Sequence, residues 1–305
     1  MDTVGHHELD TVGQHEPHLG RIGIWAGELD RWPATDLREA AAVVEDLGYP
    51  ALWFPEAVGR ESVAQAAMLL SATRRTVIAS GTASIYARDA VTAAAAQRTL
   101  DEAFPGRFLL GLGVSHPALV TQVRGHRFGP PVATMRAYLD AMDAAPFGPP
   151  TTSSSAPPRR VLAALGPKML RLAGERAWGA HPLGMPVAHT RAARAVLGPR
   201  ALLAVTQLVV LDRSRSRSAD LARAHASTAL PNRLTLLRDL GFDNAEALDD
   251  RVVDALVATG GTDDIAQRVR EHLDAGANHV SLHVITSVPD EAPLRQWGEL
   301  AALLL

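Results

Sequence analysis

Between Thr76 and His116, two short apolar strands ending in small residues flank one alanine-rich helix, and no other feature of the chain limits its fold as much. The first strand reads Thr76-Val-Ile-Ala-Ser-Gly-Thr-Ala-Ser84 and the second Arg107-Phe-Leu-Leu-Gly-Leu-Gly-Val-Ser-His116. Residues 89–102 between them open on an Asp suited to capping and carry Ala, Leu and Gln through their turns, which predicts a helix. Strand, helix and strand at this spacing make a βαβ unit, whose strands run parallel. Both strands pass from branched apolar residues to Gly, Ser and Thr at their carboxyl ends, so a flat ligand can approach the backbone there. In parallel α/β folds that end is where sites are built.

The same alternation continues along the chain. Strands are expected at residues 21–25, 51–54, 77–83, 108–113, 160–165, 179–181, 202–211 and 279–284, with helices such as 36–47 and 263–275 between them. Eight strands alternating with helices over 305 residues predict a (β/α)8 TIM barrel, an α/β fold. Gly48 and Gly276 each stand where a helix stops and a strand follows at once. Residues 1–18 are polar, carry an imperfect Asp-Thr-Val-Gly repeat and read as a disordered tail before a single domain over residues 19–305. The tail histidines, His6, His7, His15 and His18, show no fixed metal-ligand geometry. Residues 146–158 read as a flexible connection, because the strand–helix rhythm resumes unchanged after them. The Arg/Ser alternation of residues 213–217 reads as a solvated loop.

Charge and composition narrow the function. A net charge of -3 with no basic patch among aromatics argues against nucleic acid and anionic membranes as partners. The chain has no cysteine, which excludes disulfides, thiolate metal sites and cysteine nucleophiles. Nothing approaches ~18 uninterrupted apolar residues, and the N-terminus lacks the order of a secretory signal, so a cytoplasmic enzyme acting on a small molecule is expected. Gly111-Leu-Gly113 lacks the third glycine of a dinucleotide-binding turn and is not read as one. Trp25 and Trp53 end strands and are expected to line the barrel, whereas Trp32, Trp178 and Trp297 are assigned to the core.

Two ionisable residues stand at strand carboxyl ends, where a proton donor or acceptor is needed. His116 follows Gly113-Val-Ser115, and its ordinary pKa near 6.5 suits it to act as a base; its other reading is a cap on the following helix. Glu56 ends the second strand and can act as an acid if burial raises its pKa, or else pairs with Arg60 or Arg88.

Five pieces carry a family resemblance: Leu47-Gly-Tyr-Pro-Ala-Leu-Trp-Phe-Pro-Glu-Ala-Val-Gly-Arg60, Ser80-Gly-Thr82, Gly106-Arg-Phe-Leu-Leu-Gly-Leu-Gly-Val-Ser-His116, Gly179-Ala-His-Pro182 and Ala229-Leu-Pro-Asn232. In order and spacing the chain resembles the luciferase-like monooxygenase superfamily, in its branch of deazaflavin (coenzyme F420)-dependent oxidoreductases, over residues 19–305. The resemblance implies a TIM barrel with a flat ring across the strand carboxyl ends. It implies a bulge in the third strand with a non-proline cis peptide, here at Ala83–Ser84. Ring contacts are implied for Ala83, Ser84, Tyr86, Val114 and Ser115. The cofactor phosphate is implied in the loop 179–185, on the amides of Ala180 and His181 and the helix N-terminus near residues 187–190. His181 has a second reading, a buried histidine satisfied by backbone.

Distant relatives acting on sugar phosphates carry an acidic residue in the place of His116 and an Asp-His pair where this chain has Pro55-Glu56. That departure argues against such a substrate. The resemblance implies hydride transfer between F420 and a small organic carbonyl, alcohol or activated double bond, by a homodimer. An FMN-dependent monooxygenase using oxygen is a second reading. A cofactor-free barrel with a binding role is a third, against which the small Ala83, Ser84 and Ser115 speak.

Overall fold

Short strands rich in Ile, Leu, Val and Ala bury both of their faces, and a sheet of such strands must be covered on one side by helices and closed on the other. In the computed structural model, which describes residues 18–149, 159–288 and 291–305, eight parallel strands meet this demand. They are β1 (Ile22–Trp25), β2 (Ala51–Phe54), β3 (Val77–Ser80), β5 (Phe108–Gly113), β6 (Arg160–Leu162), β7 (Gly179–Ala180), β8 (Leu202–Leu211) and β10 (His279–Val284). Each pairs with the next, and β10 pairs with both β8 and β1, which closes the barrel. The helices are α1 (Ala34–Asp46), α2 (Ser62–Ala72), α3 (Ala90–Ala103), α4 (Pro131–Asp143), α5 (Pro167–Arg176), α6 (Val187–Leu197), α7 (Arg215–Ala229), α8 (Leu234–Asp239), α9 (Asp250–Leu256), α10 (Thr262–Asp274) and α11 (Leu294–Leu304). The expected tail at residues 1–17 and the connection at residues 150–158 lie outside the described residues.

Alternation along the strands sorts the core into two layers. Trp25, Trp53, Ala79, Leu109, Val161 and Ala204 pack together inside the barrel. Their neighbours Ile24, Leu52, Ile78, Leu110, Leu162 and Leu203 belong to the cluster that meets the helices. Asp89 caps α3 by accepting the Thr92 amide at 2.9 Å. Gly48 and Gly276, just past α1 and α10, have φ of 90° and 103°, as the helix stops require.

Four sequence expectations need correction, the first being that residues 215–217, expected in a loop, begin α7. The expected third strand, 77–83, stops at Ser80 and resumes as a two-residue strand, β4 (Ala83–Ser84). Ala79 pairs with Leu109 and Ala83 with Leu112, so four residues on one side span three on the other, a one-residue bulge. The cis peptide falls inside that bulge, at Gly81–Thr82, and not at Ala83–Ser84. Ala83 and Ser84 are paired with Leu112 and Gly113, which holds them extended. A ninth long-range partner, β9 (Val257–Gly260), was not expected; it follows α9 without a loop and takes the edge of β8 that the two-residue β7 leaves open. The segment between β8 and β9 packs its own small core, Ala222, Ala226, Leu230 and Leu237, against Leu208 and Val210.

Three buried imidazoles, His279 and His181 inside the barrel and His272 on α10 against its outer face, are held neutral. His279 receives a hydrogen bond from Trp53 Nε1 at 3.1 Å and bonds the Gly20 carbonyl at 3.0 Å, so its two nitrogens have opposite roles. His272 lies between Thr190 Oγ1 at 2.8 Å and Gln207 Oε1 at 2.7 Å. Burial disfavours the imidazolium in each, pushing His279 down to about 4 and His272 to about 3. His181 is likewise pushed to about 3 by burial. A histidine whose folded pKa lies below its unfolded value loses stability as pH falls from that unfolded value toward the folded one. Each costs ~1.4 kcal/mol per pH unit inside that window. Three together are expected to remove roughly 5 kcal/mol between pH 6.5 and 5, lowering the melting temperature by roughly 10 °C. Calorimetry across pH 5 to 7 checks this, and a melting temperature flat over that range contradicts it.

Candidate active site

The bulge in the third strand is held from three sides. Ser80 Oγ donates to the Gly111 carbonyl and accepts the Gly111 amide, both at 2.9 Å. The Gly81 amide donates to the Phe54 carbonyl at 2.6 Å, and Trp25 Nε1 donates to the Gly81 carbonyl at 3.3 Å. The Glu56 amide donates to the Thr82 carbonyl at 3.2 Å. The Glu56 carboxylate then accepts the Ser84 amide at 2.7 Å on one oxygen, and the Ser62 amide at 3.1 Å and Arg88 on the other. Glu56 and Arg88 are nearly fully buried, with side chains 3% and 7% exposed. Arg88 also reaches Glu61 at 2.6 Å, the carboxylate that caps α2. Of the two cations expected near Glu56, Arg88 is the one that pairs with it. Arg60 instead donates to the carbonyls of Leu29 and Trp32.

Glycine is obligatory along this wall. A Cβ on Gly81 would stand 2.8 Å from His181 Nε2 and 2.9 Å from Trp25 Nε1, and one on Gly113 would stand 2.4 Å from Thr82 Oγ1. The glycines just past β3 and at the end of β5 are therefore packed tightly against these side chains. Beside them opens a cavity of about 450 Å³ at the carboxyl-terminal mouth of the barrel, walled by Trp25, Gly81, Thr82, Val114, Ala163 and Met169 among others. Volume and apolar lining suit a small organic ligand or a ring system. Two larger grooves of about 830 and 810 Å³ run outside the barrel past Arg213 and Gly261. Ligand sites of this fold lie at the strand carboxyl ends inside the barrel, so the smaller cavity is the candidate.

Of the nine expected site residues, Glu56, Ser84, Val114, Ser115, His116 and His181 line this cavity. His116 is exposed on its rim. Its carbonyl, not its imidazole, accepts the Val120 amide at 3.1 Å in the following turn. Ser115 has a φ of 60°, the left-handed conformation, which turns the chain at the end of β5. Ala83 and Ala180 are fully buried in the barrel wall, and the Tyr86 hydroxyl accepts the Gly129 amide at 3.0 Å away from the cavity. The anion nest expected after β7 is also altered, because the His181 amide donates to the Leu162 carbonyl at 2.8 Å.

His181 is a floor residue. Its Nδ1–H donates to the Ala204 carbonyl at 3.0 Å, its Nε2 faces the Thr206 hydroxyl at 3.4 Å beside Gly81, and its ring stacks on Trp53 with centroids 4.1 Å apart. Sequence reasoning missed Arg233, whose guanidinium donates to the Leu183 carbonyl at 3.0 Å on the cavity wall. Burial lowers its pKa to about 10, so it is a cation at neutral pH. It directly follows the quoted Ala229-Leu-Pro-Asn232, but nothing local separates it from the surface arginines of that region. Among the described residues no cluster of His, Asp and Glu is arranged to hold a metal, and no helix is long and apolar enough to cross a membrane.

Comparison with known proteins gives concordant results. A family model described as luciferase-like monooxygenase matches residues 14–279. A Mycobacterium tuberculosis protein named "Putative coenzyme F420-dependent oxidoreductase" is 33% identical over 120 residues; the match covers 39% of this chain and 35% of that protein's length. The fold is shared with an F420-dependent secondary alcohol dehydrogenase solved with an F420-acetone adduct, at a TM-score of 0.73 and 14% identity over 92% of this chain and 96% of that one. It is shared too with the oxygenating constituent of 3,6-diketocamphane monooxygenase from Pseudomonas putida, solved with FMN, at a TM-score of 0.68 and 14% identity over 92% and 96%.

The carboxylate network makes a stability forecast. Replacing Glu56 with Ala leaves the Ser84 and Ser62 amides and part of the Arg88 charge without their acceptor, at an expected cost of about 3 kcal/mol in urea unfolding. A loss below about 0.5 kcal/mol contradicts the network.

Proposed function

We propose, on the premise that this chain belongs to the luciferase-like monooxygenase family, that it is a coenzyme F420-dependent oxidoreductase acting on a small organic carbonyl, alcohol or activated double bond. The observation that carries this reading is the apolar cavity at the carboxyl ends of the strands, walled by Gly81, Thr82, Gly113 and Val114, where a flat ring can lie. The M. tuberculosis relative supports the choice of deazaflavin. When bound, F420 supplies the hydride chemistry. The protein's own residues have the remaining tasks. Gly81, Thr82, Ser84, Val114 and Ser115 form the wall for the ring, and His181, held between the Ala204 carbonyl and the Thr206 hydroxyl, forms the floor beneath it. Arg233 supplies positive charge to an anionic part of cofactor or substrate. Trp25, Leu119, Leu165 and Met169 exclude water, which strengthens every polar interaction inside.

His116 is assigned the proton at the substrate oxygen, since it is the ionisable side chain on the cavity rim not already engaged by a buried partner network. Glu56 is assigned a positioning role, because its oxygens already accept two amides and Arg88. The protein is further assigned a homodimeric, cytoplasmic form, which light scattering and fractionation check.

An FMN-dependent monooxygenase is the second reading, favoured by the shared fold of the FMN-bound Pseudomonas putida protein. Thermal shift with each flavin separates the two. A ligand at 100 times its Kd adds ~2.7 kcal/mol of stability, several degrees for a chain of this size. F420 is expected to give that shift and FMN a smaller one; the reverse order overturns the leading reading. His116→Ala is expected to leave F420 affinity within a fewfold while lowering turnover by ~10²–10⁴, the usual contribution of general acid–base catalysis. Turnover within threefold of the parent removes His116 from that role.

A further inference from the structure

Behind Trp25, on the side away from Gly81, lies a polar cluster that the reading above does not use. Inward-facing positions of β10 are His279, Ser281 and His283, alternating with Val280, Leu282 and Val284, which pack toward the helices. His283 therefore stands at the top of the barrel interior, where its ring meets the Trp25 indole with centroids 4.6 Å apart at an angle of 51°. Its Nε2 bonds Glu28 Oε1 at 3.0 Å. His225 of α7 closes on it edge-to-face at 5.3 Å. His283 Nδ1 is buried with no hydrogen-bond partner among the described residues, so Glu28 is the polar tether of this ring.

The indole is thus gripped at both ends. Its Nε1 donates to the Gly81 carbonyl, and its six-membered ring fills the space over Gly27, where a Cβ would come within 2.5 Å of it. Trp25 also lines the cavity, whereas His283 and Glu28 do not. An apolar side chain in place of His283 would fill the same space without the desolvation of an imidazole and a carboxylate. What the pair adds is a fixed ring orientation beside Trp25.

We propose that Glu28 and His283 are positioning residues that set the Trp25 wall of the ligand cavity. The inference rests on the barrel mouth being the ligand site, not on which flavin fills it. The Trp25 emission, isolated as the difference between the parent and Trp25→Phe, reports the wall in ligand-free protein. Glu28→Ala and His283→Ala are each expected to shift that component to the red and to weaken binding of F420, with FMN titrated in parallel, about tenfold. His283→Gln, whose amide can still donate to Glu28, is expected to stay within threefold of the parent. In a Trp25→Leu background Glu28→Ala is expected to add less than twofold, since its effect passes through Trp25. Glu28 is partly exposed, so its variant remains testable should His283→Ala fail to fold. An unchanged Trp25 component in Glu28→Ala, or an equal loss of affinity with Leu at position 25, overturns the proposal. A protein that binds neither flavin overturns the cofactor reading, while the emission measurement still decides this one.

Discussion

One buried carboxylate organises the mouth of this barrel. Glu56 ties the end of β2 to the first turn of α2 through the Ser62 amide, to β4 through the Ser84 amide, and to the entry of α3 through Arg88. A carboxylate at so low an exposure is tolerated only when its charge is paired and its lone pairs are filled, and here both conditions hold. That anchor adds to the bonds from Ser80, the Phe54 carbonyl and Trp25 that fix the path of the four residues bulging against three of β5. Gly81 and Gly113 line the cavity beside it.

The chemistry of the site follows from what the barrel does with its polar groups. Inside the barrel, burial keeps His181 and His279 neutral, and each is oriented by a hydrogen bond to a carbonyl. They serve as a rigid floor of donors and acceptors rather than as proton carriers. The exposed His116 on the rim has the freedom they lack. Such a division suits a reaction in which a bound cofactor performs the hard step and the protein positions, dries and handles one proton.

Much of this was legible in the chain. The alternation of strands and helices placed all eight barrel strands, four of them, 51–54, 108–113, 202–211 and 279–284, with unshifted ends. The capping Asp89 and the helix-ending Gly48 and Gly276 were equally readable, because their signals are local. The register of the bulge was not. Whether the chain turns at Gly81 or Ala83 depends on Glu56 and Trp25 reaching it from other strands and on Ser80 bonding Gly111 of β5, and no local pattern encodes that. The same limit hid Arg233, and it hid the Glu28–His283 pair, whose members lie 255 positions apart. Glu56 showed in the sequence as an acid at a strand end, and only its partners reveal how fully it is engaged.

The account turns on a flat deazaflavin lying against the backbone of the bulge. A crystal structure of the protein with F420 tests that directly. The ring is expected beside Gly81, Thr82 and Val114, with the open side of the cavity facing His116. A ring bound instead in the outer groove past Arg213 and Gly261, or a cavity that accepts FMN while F420 stays in solution, would contradict it.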